Sequence, residues 1–277
     1  MKIPSIRKWF HLMILKSLAS KLIPIFYFYF PRMAHWGFRF RKANYENEMQ
    51  LLNLLCDQNK TSLDIGAKVG MYTYRLLKHS KKVIAFEPHP LMAHILKNSF
   101  SPLVAIETLA ISDQSGFSTL RIPFCPFGFP RYGRSTIEKE NNLSFEGLKD
   151  FHEVKIETKC LDDYDFENIG FVKIDVEGHE LAVLNGAKDL IQKCQPIFLI
   201  EANDHHCPGS VQELEDFFKN LKYLGLFLEN QSMKPIGQYN HDFHFTKKGI
   251  TNFIFLPKGD EFKLTNVPFR LRNNYLI

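Results

Sequence analysis

The stretch from Thr61 to Glu87 constrains the fold most. Thr61-Ser62-Leu63-Asp64-Ile65 is a short apolar run closed by Gly66-Ala67-Lys68-Val69-Gly70, and Met71, Tyr74, Leu76 and Leu77 follow at helical intervals. Lys82-Val83-Ile84-Ala85-Phe86 is a second apolar run, stopped by Glu87-Pro88-His89-Pro90, where neither proline can continue a ladder. Strand, helix and strand at this spacing close as a right-handed crossover, which makes the two strands parallel and brings Glu87 to the same sheet edge as the glycine loop. A helix start offers backbone N–H groups, and the bare α-carbons of Gly66 and Gly70 let a ligand approach the backbone closely, so a nucleotide-like ligand suits this loop. The Glu87 carboxylate can accept hydrogen bonds from both hydroxyls of a ribose.

The pattern continues with a helix over Leu91 to Phe100 and a third strand over Val104 to Ile111, ending in Ser112-Asp113-Gln114-Ser115-Gly116. Asp113 at that strand end is placed to reach the edge of a base, or to form an Asx turn into Gly116. From about 117 to 150 the punctuation by Pro123, Pro126, Gly128, Pro130 and Gly133 reads as an insertion, a loop and hairpin over the site, with Arg131 and Arg134 as candidates for an anionic acceptor. A second dense stretch runs from Phe171 to Ala187: a buried strand ends at Asp175, a turn carries Glu177 and Gly178, and a helix follows His179-Glu180. In an open parallel sheet ligands bind at the carboxyl edge, so Asp175, Glu177, His179 and Glu180 face the same crevice as the glycine loop. Carboxylates in a first helical turn favour the helix dipole, but that does not explain a histidine suited to proton transfer near neutrality. Pro196 to Glu201 is a further strand whose terminal acid reaches the same edge, Val211 to Leu221 is a helix, and the apolar runs Leu224 to Leu228 and Asn252 to Leu256 close the sheet as an antiparallel pair.

Charge separates the first 45 residues from the rest. They carry nine Lys and Arg and no Asp or Glu, while the whole chain has a formal net charge of +5, so the remainder sums to 5 − 9 = −4. Trp9, Phe10, the run Phe26 to Phe30, Trp36, Phe38 and Phe40 lie among these cations, a mixture that suits a peripheral contact with a membrane surface, a helical lid on the domain, or a targeting leader. Lys16, Lys21 and Pro24 interrupt the segment before the roughly 20 apolar residues a spanning helix needs. The chain therefore divides at about residue 45 into this extension and one domain over 46–277, with a cytoplasmic location expected. The aromatics follow no nucleic-acid module. The five cysteines are scattered and never spaced C-x-x-C, and His205-His206-Cys207 and His241-x-x-His244 lack zinc spacing, so no metal site is expected. Oligomeric state is not written in the sequence.

The order Leu63-Asp64-Ile65-Gly66-Ala67-x-x-Gly70, Ala85-Phe86-Glu87-Pro88, Ala110-Ile111-Ser112-Asp113-x-x-Gly116 and Ile174-Asp175-Val176-Glu177-Gly178-His179-Glu180-x-x-Val183-Leu184-x-Gly186-Ala187 resembles the FkbM-type methyltransferases. The resemblance covers about Thr61 to Glu201. It implies an α/β fold: a class I methyltransferase (Rossmann-like) doubly wound sheet, here with the C-terminal antiparallel strand pair and an N-terminal helical extension. It also implies S-adenosyl-L-methionine as cofactor and a hydroxyl on a sugar, glycolipid or polyketide as acceptor, a small molecule or glycan. Carried over, Gly66, Ala67 and Gly70 surround the methionine part with Asp64 supporting the loop, Glu87 holds the ribose, and Ser112 and Asp113 meet the adenine edge. Asp175, Glu177 and His179 line the transfer site, and Glu201 joins the acceptor pocket. Lys68 departs from the family's usual Asn, and a cation there is expected to pair with the methionine carboxylate. His179, assisted by Asp175 or Glu177, is the expected base.

Two other classes fit parts of the pattern. An NAD-dependent oxidoreductase also joins a glycine loop to a ribose acid, but its fingerprint needs a third glycine where this chain has Met71-Tyr72-Thr73. A methyltransferase-like binding module, inactive through Lys68 and held at a membrane by its basic arm, is the other.

Overall fold

Alternation along the central strands sets the architecture. Leu63, Ile65, Ile84, Phe86, Val172, Ile174, Phe198 and Ile200 fall into one buried cluster, while their neighbours Val83, Ala85, Phe171, Ile197 and Leu199 fall into another on the opposite side. Strands buried on both faces read as continuous apolar runs and take helices on each side. The structure, a computed structural model, describes residues 46–124, 130–139, 141, 150–204 and 207–260. The basic extension 1–45, the His205-His206 pair and part of the 117–150 insertion lie outside the described residues.

The main strands are β1 (Thr61–Ile65), β2 (Lys82–Phe86), β3 (Ala105–Glu107), β7 (Ile169–Ile174), β8 (Ile197–Glu201), β9 (Tyr223–Glu229), β10 (Ser232–Pro235) and β11 (Asn252–Pro257), numbered with the three strands of a smaller sheet, β4 (Ala110–Ile111), β5 (Gly116–Pro123) and β6 (Phe151–Lys159). The eight-stranded sheet runs β10-β9-β11-β8-β7-β1-β2-β3. Strands β3, β2, β1, β7 and β8 are parallel neighbours, and β11 enters antiparallel between β8 and β9. The two late apolar runs thus pair antiparallel, as their sequence predicts. The helices are α1 (Leu52–Leu55), α2 (Met71–Leu76), α3 (Pro90–Phe100), α4 (Glu180–Asn185), α5 (Lys188–Cys194) and α6 (Ser210–Asn220). Apolar side chains of α2 and α3 (Leu76, Met92, Leu96, Phe100) pack on one face of the sheet, and those of α4 to α6 (Val183, Leu190, Leu214, Phe218) on the other.

Two expectations change here. The single strand expected over Val104 to Ile111 splits: β3 pairs with β2 in the main sheet, whereas β4 pairs with β6 in the smaller one. The irregular segment begins as a regular strand, since β5 pairs antiparallel with β6 from Gly116↔Thr158 to Pro123↔Phe151. Its buried Leu120 and Ile122 meet Ile156 and Ala110 in a separate core cluster. The pairing partner lies some thirty residues on, so local reading sees only the punctuation between them.

A buried polar ring ties residue 46 to the sheet. Tyr72 donates to Glu46 Oε2 at 2.5 Å, Asn252 Nδ2 donates to the same oxygen at 3.1 Å, and the wholly buried Lys173 donates to Asn252 Oδ1 at 3.1 Å. Among the described residues no helix is long and apolar enough to cross a membrane.

Candidate active site

At the carboxyl edge of β1, β2 and β7 lies a cleft of about 520 Å³, part of it open to solvent. Ile65, Phe86, Leu109, Ile111 and Leu120 make its apolar wall, Glu87, Asp175, Glu177 and His179 its polar one, and Tyr132 and Ser135 to Ile137 reach over it from the insertion. Of the described residues between β5 and β6, Tyr132 and Ser135 to Ile137 therefore form a cover for the site.

The glycine loop is held by hydrogen bonds within the protein. Gly66 and Ala67 donate their N–H groups to the Phe86 carbonyl at 3.0 and 3.1 Å, Gly70 donates to Ala67 at 2.8 Å, and Lys68 N–H donates to Glu87 Oε2 at 2.7 Å. These amides are bonded within the protein, while Gly66 and Lys68 line the cleft. The bare α-carbons also allow close packing within the protein. A methyl at Gly66 (φ +80) would sit 2.0 Å from the Asp175 carbonyl oxygen, and one at Gly70 (φ +90) 2.4 Å from the Phe100 ring. The glycines are required by left-handed backbone and by close packing of β1 on β7 and of the loop on α3. Asp64 accepts from Thr73 Oγ1 at 2.5 Å, which pins the first turn of α2 to the strand end.

Glu87 is buried, and each of its oxygens accepts one backbone N–H, from Lys68 and from His89 at 2.7 Å. Each oxygen retains a second lone pair. Burial pushes the carboxyl up to about 7 in spite of those two bonds. An acid held at a ligand-binding edge with too few donors is stabilised when a ligand brings hydroxyls to it.

Lys68 and the acids of the second motif form one knot. Lys68 Nζ donates to Asp175 at 3.1 and 3.3 Å and to Glu177 Oε1 at 3.0 Å, and Arg134 Nη1 donates to Glu177 Oε2 at 3.0 Å. The Glu177 carbonyl accepts from Thr136 Oγ1 at 2.8 Å and Asn141 Nδ2 at 2.6 Å. Lys68 (φ +52) and Glu177 (φ +54) both adopt left-handed backbone, which non-glycine residues seldom do. Burial disfavours the Lys68 charge, but Asp175, Glu177 and Glu201 outweigh it and hold the ammonium well above its usual range. Burial likewise works to raise Asp175, and Lys68, Lys173 and Arg134 together more than cancel it, leaving the carboxyl below its ordinary value.

These contacts engage several of the expected site residues. The Lys68 ammonium, in the cleft lining, is engaged by Asp175 and Glu177. Arg134 binds Glu177, and Arg131 is exposed outside the cleft lining. Glu180 accepts from Gly178 N–H at 2.9 Å and caps the turn. His179 does line the cleft, but its ring bonds neither Asp175 nor Glu177: Nδ1 faces Glu138 Oε2 at 3.0 Å and Nε2 faces Ser112 Oγ at 2.9 Å. The turn through Glu177 and Gly178 (φ +99) separates the neighbouring side chains, so 177 and 179 point to different partners. Ser112 is buried behind His179, whereas Asp113 is exposed, off the cleft lining, and accepts from Ser112 Oγ at 3.1 Å. Glu201 also lies off the lining, yet near enough to Asp175 that like charge, followed by burial, pushes its carboxyl up to about 8. Glu138, Thr136 and Asn141 escaped sequence reading because nothing in a polar insertion marks which side chains fold back. Among the described residues no group of three or more His, Cys, Asp or Glu is arranged to hold a metal ion.

A doubly wound sheet with one antiparallel strand let in next to β8, and a cleft joining an apolar slot to the β2 acid at its carboxyl edge, is the architecture of a class I methyltransferase. Residues 64–224, more than half of the chain, match the family model described as Methyltransferase FkbM domain, and the chain belongs to that family. The oxidoreductase alternative falls with that match. The chain is 28% identical over 177 residues to the 2-O-methyltransferase NoeI of Sinorhizobium fredii, covering 58% of this chain and 71% of the relative. Among solved structures, a methyltransferase FkbM from Methylobacillus flagellatus is 18% identical with a TM-score of 0.46; the match covers 78% of this chain and 46% of that one, so the chain spans less than half its length. An O-methyltransferase from Bacillus cereus in complex with SAH is 13% identical, with a TM-score of 0.42, over 83% of this chain and 89% of that one.

The cofactor is S-adenosyl-L-methionine. The residues present fit its nucleoside half: the apolar slot would take a flat base, and Glu87, with an unused lone pair on each oxygen, would take the ribose hydroxyls.

Proposed function

We propose that the chain is an S-adenosylmethionine-dependent O-methyltransferase acting on a hydroxyl of a sugar, glycolipid or polyketide-like acceptor. The observation that carries this reading is the cleft that joins the slot at Glu87 to Asp175 and His179 under the Tyr132 to Ile137 cover. The family match and the name of the 2-O-methyltransferase relative support oxygen as the atom methylated.

When bound, the cofactor supplies a methyl group on a sulfonium whose leaving group is a neutral thioether. Glu87 and the apolar slot hold and orient the nucleoside, and positioning supplies most of the rate in such a displacement. The cover excludes water. Asp175, kept ionised by Lys68, gives the edge a fixed negative charge suited to a cation, while Lys68 keeps the acids from repelling one another. One proton has to leave as the C–O bond forms, and His179 is the group in the cleft wall suited to take it.

Calorimetry with S-adenosylhomocysteine and labelled-methyl transfer into fractionated cell extract test this. Glu87→Gln weakens binding by about 10- to 100-fold, the loss of charge-assisted hydrogen bonds worth about 1.5–3 kcal/mol. His179→Ala leaves binding unchanged and lowers transfer by about 10²-fold or more. Parent-level binding by the first variant removes the ribose assignment, and parent-level transfer by the second removes the base. NAD binding in place of S-adenosylhomocysteine defeats the whole reading.

A further inference from the structure

The two ends of the cover are held by contacts of different strength. At one end is the 3₁₀ turn Tyr132–Arg134, where Tyr132 lines the cleft beside Glu87 and Pro88 and packs against both the α2–α3 core and the small-sheet core. Its ring meets His89 edge-on, with centroids 5.0 Å apart and planes at 90°. His89 is buried; its backbone N–H donates to Glu87 Oε1 at 2.7 Å, and its Nδ1 accepts from Leu91 N–H at 3.1 Å, which caps α3. The lone pair of Nδ1 is thereby used, so the proton of the neutral ring is on Nε2. Burial holds the imidazole below its usual range and favours that neutral form. Nε2 is buried with no hydrogen-bond partner among the described residues, so Tyr132 covers an unsatisfied donor.

The other end is fastened by charge and by backbone. Arg134 Nη1 donates to Glu177 Oε2 at 3.0 Å, Thr136 Oγ1 donates to the Glu177 carbonyl at 2.8 Å, and Thr136 and Arg121 exchange two backbone bonds of 2.9 and 3.1 Å. On the Tyr132 side the nearest bond to β5 is a single one, from Arg131 N–H to the Pro123 carbonyl at 2.7 Å. Lifting the Thr136 end breaks all of the first set and takes a cation from a carboxylate that is 6% exposed. Lifting Tyr132 breaks one backbone bond and one ring contact, and it lets water reach the Nε2–H of His89. The Tyr132 end is the weaker one.

We propose that Tyr132 closes the slot over the base of the cofactor, that His89 is the positioning residue that holds it there, and that the cover opens at this end to admit and release the nucleoside. This rests on the reading of the slot at Glu87 as the nucleoside site. With the ribose hydroxyls on Glu87, the two substituents of the sugar leave in opposite directions. The 5′ carbon leads toward Gly66 and Asp175, and the base lies away from them, among Pro88, Leu109, Ile111 and Leu120. Tyr132 is the aromatic side chain that the cover brings to that lining. The same His89 whose ring seats Tyr132 gives its backbone N–H to Glu87, so the ribose acid and the latch are built on adjacent atoms of one turn.

The test has one arm without ligand and one with it, both on the full chain. His89→Asn keeps an N-cap for α3 and removes the ring. In the ligand-free protein, amide exchange followed by NMR speeds up by about 2- to 12-fold at Arg131 and Arg134, the worth of one aromatic pair, and stays at the parent rate at Arg121 and Thr136. With S-adenosylhomocysteine, stopped-flow association and dissociation both quicken by about the same factor and Kd stays within about 2-fold, because the latch is closed in the empty and the loaded protein alike. Tyr132→Leu weakens S-adenosylhomocysteine and adenosine equally, by about 2- to 12-fold, and leaves S-ribosylhomocysteine, which lacks the base, unchanged. Tyr132→Phe, which keeps the ring, binds as the parent does. Parent exchange and parent rates in His89→Asn overturn the latch, and exchange that rises first at Thr136 overturns the choice of end. Parent affinity in Tyr132→Leu, or an equal loss for S-ribosylhomocysteine, overturns the contact with the base. Failure of the parent itself to bind S-adenosylhomocysteine would instead fail the nucleoside reading and the base contact with it, while the exchange arm, which needs no ligand, still judges the latch.

Discussion

Glu177→Gln tests the knot that holds the cover over the cleft. The change keeps side-chain shape, backbone strain at φ +54 and the two bonds to the Glu177 carbonyl, so it isolates the charge. The carboxylate is 6% exposed and meets two cations at 3.0 Å, Lys68 and Arg134, whose side chains are 34% and 31% exposed. Two unit charges about 4 Å apart at an effective dielectric of about 20 interact by about 4 kcal/mol. Solvent reaching a third of each cation screens much of that, and removing one partner of a fully buried pair, at about 3–5 kcal/mol, is the ceiling. Lys68 keeps Asp175 as a partner, and glutamine can still accept from one of the two cations. The expected loss is therefore about 2 kcal/mol, or a fall in Tm of about 4–8 °C for a domain of this size. Urea and thermal unfolding of the ligand-free protein measure it, and limited proteolysis should cut the 117–150 segment faster than in the parent. The Glu177→Gln, Arg134→Met double-mutant cycle should return a coupling of about 1 kcal/mol. A variant within about 0.5 kcal/mol of the parent, with unchanged proteolysis, would mean that the two carbonyl bonds alone hold the cover.

Two further outcomes follow from the same geometry. Gly66→Ala should cost about 3 kcal/mol or more and abolish S-adenosylhomocysteine binding, because its methyl meets the Asp175 backbone oxygen at 2.0 Å and backbone cannot yield as a side chain would; a soluble, binding-competent variant with parent Tm refutes that. Stability of the ligand-free protein should fall as pH rises from about 4.5 to about 7, because burial holds Glu48, Glu87 and Glu180 up to about 7 and Asp64 up to about 6, so the folded state keeps protons that the unfolded chain has lost. Asp175, shifted downward, acts oppositely and only at lower pH, where its protonation costs stability. A Tm higher at about pH 7.5 than at about pH 5.5 would contradict the sign, and S-adenosylhomocysteine should narrow the difference by bonding ionised Glu87.

The sequence by itself determined the parallel sheet, the family and the edge at which the cleft lies. The apolar runs at β1, β2, β7 and β8 are each local, and a parallel crossover has one hand, so Gly66, Glu87 and Asp175 had to converge. Tertiary structure decided what each side chain does once there. The glycines serve packing contacts with Asp175 and Phe100, partners 109 and 30 residues away, that no local pattern encodes. Lys68, where the loop departs from its family's usual residue, turned out to be a clamp across Asp175 and Glu177, and Arg134 a second one. His179 was legible as a residue of the cleft edge, but its partners were not: hydrogen bonds over separations of 41 and 67 residues, to Glu138 and Ser112, depend on the path of the chain between. Periodicity reports which face of an element is buried. The identity of the polar group across a gap depends on the path of the chain between, and that is set by packing of the whole.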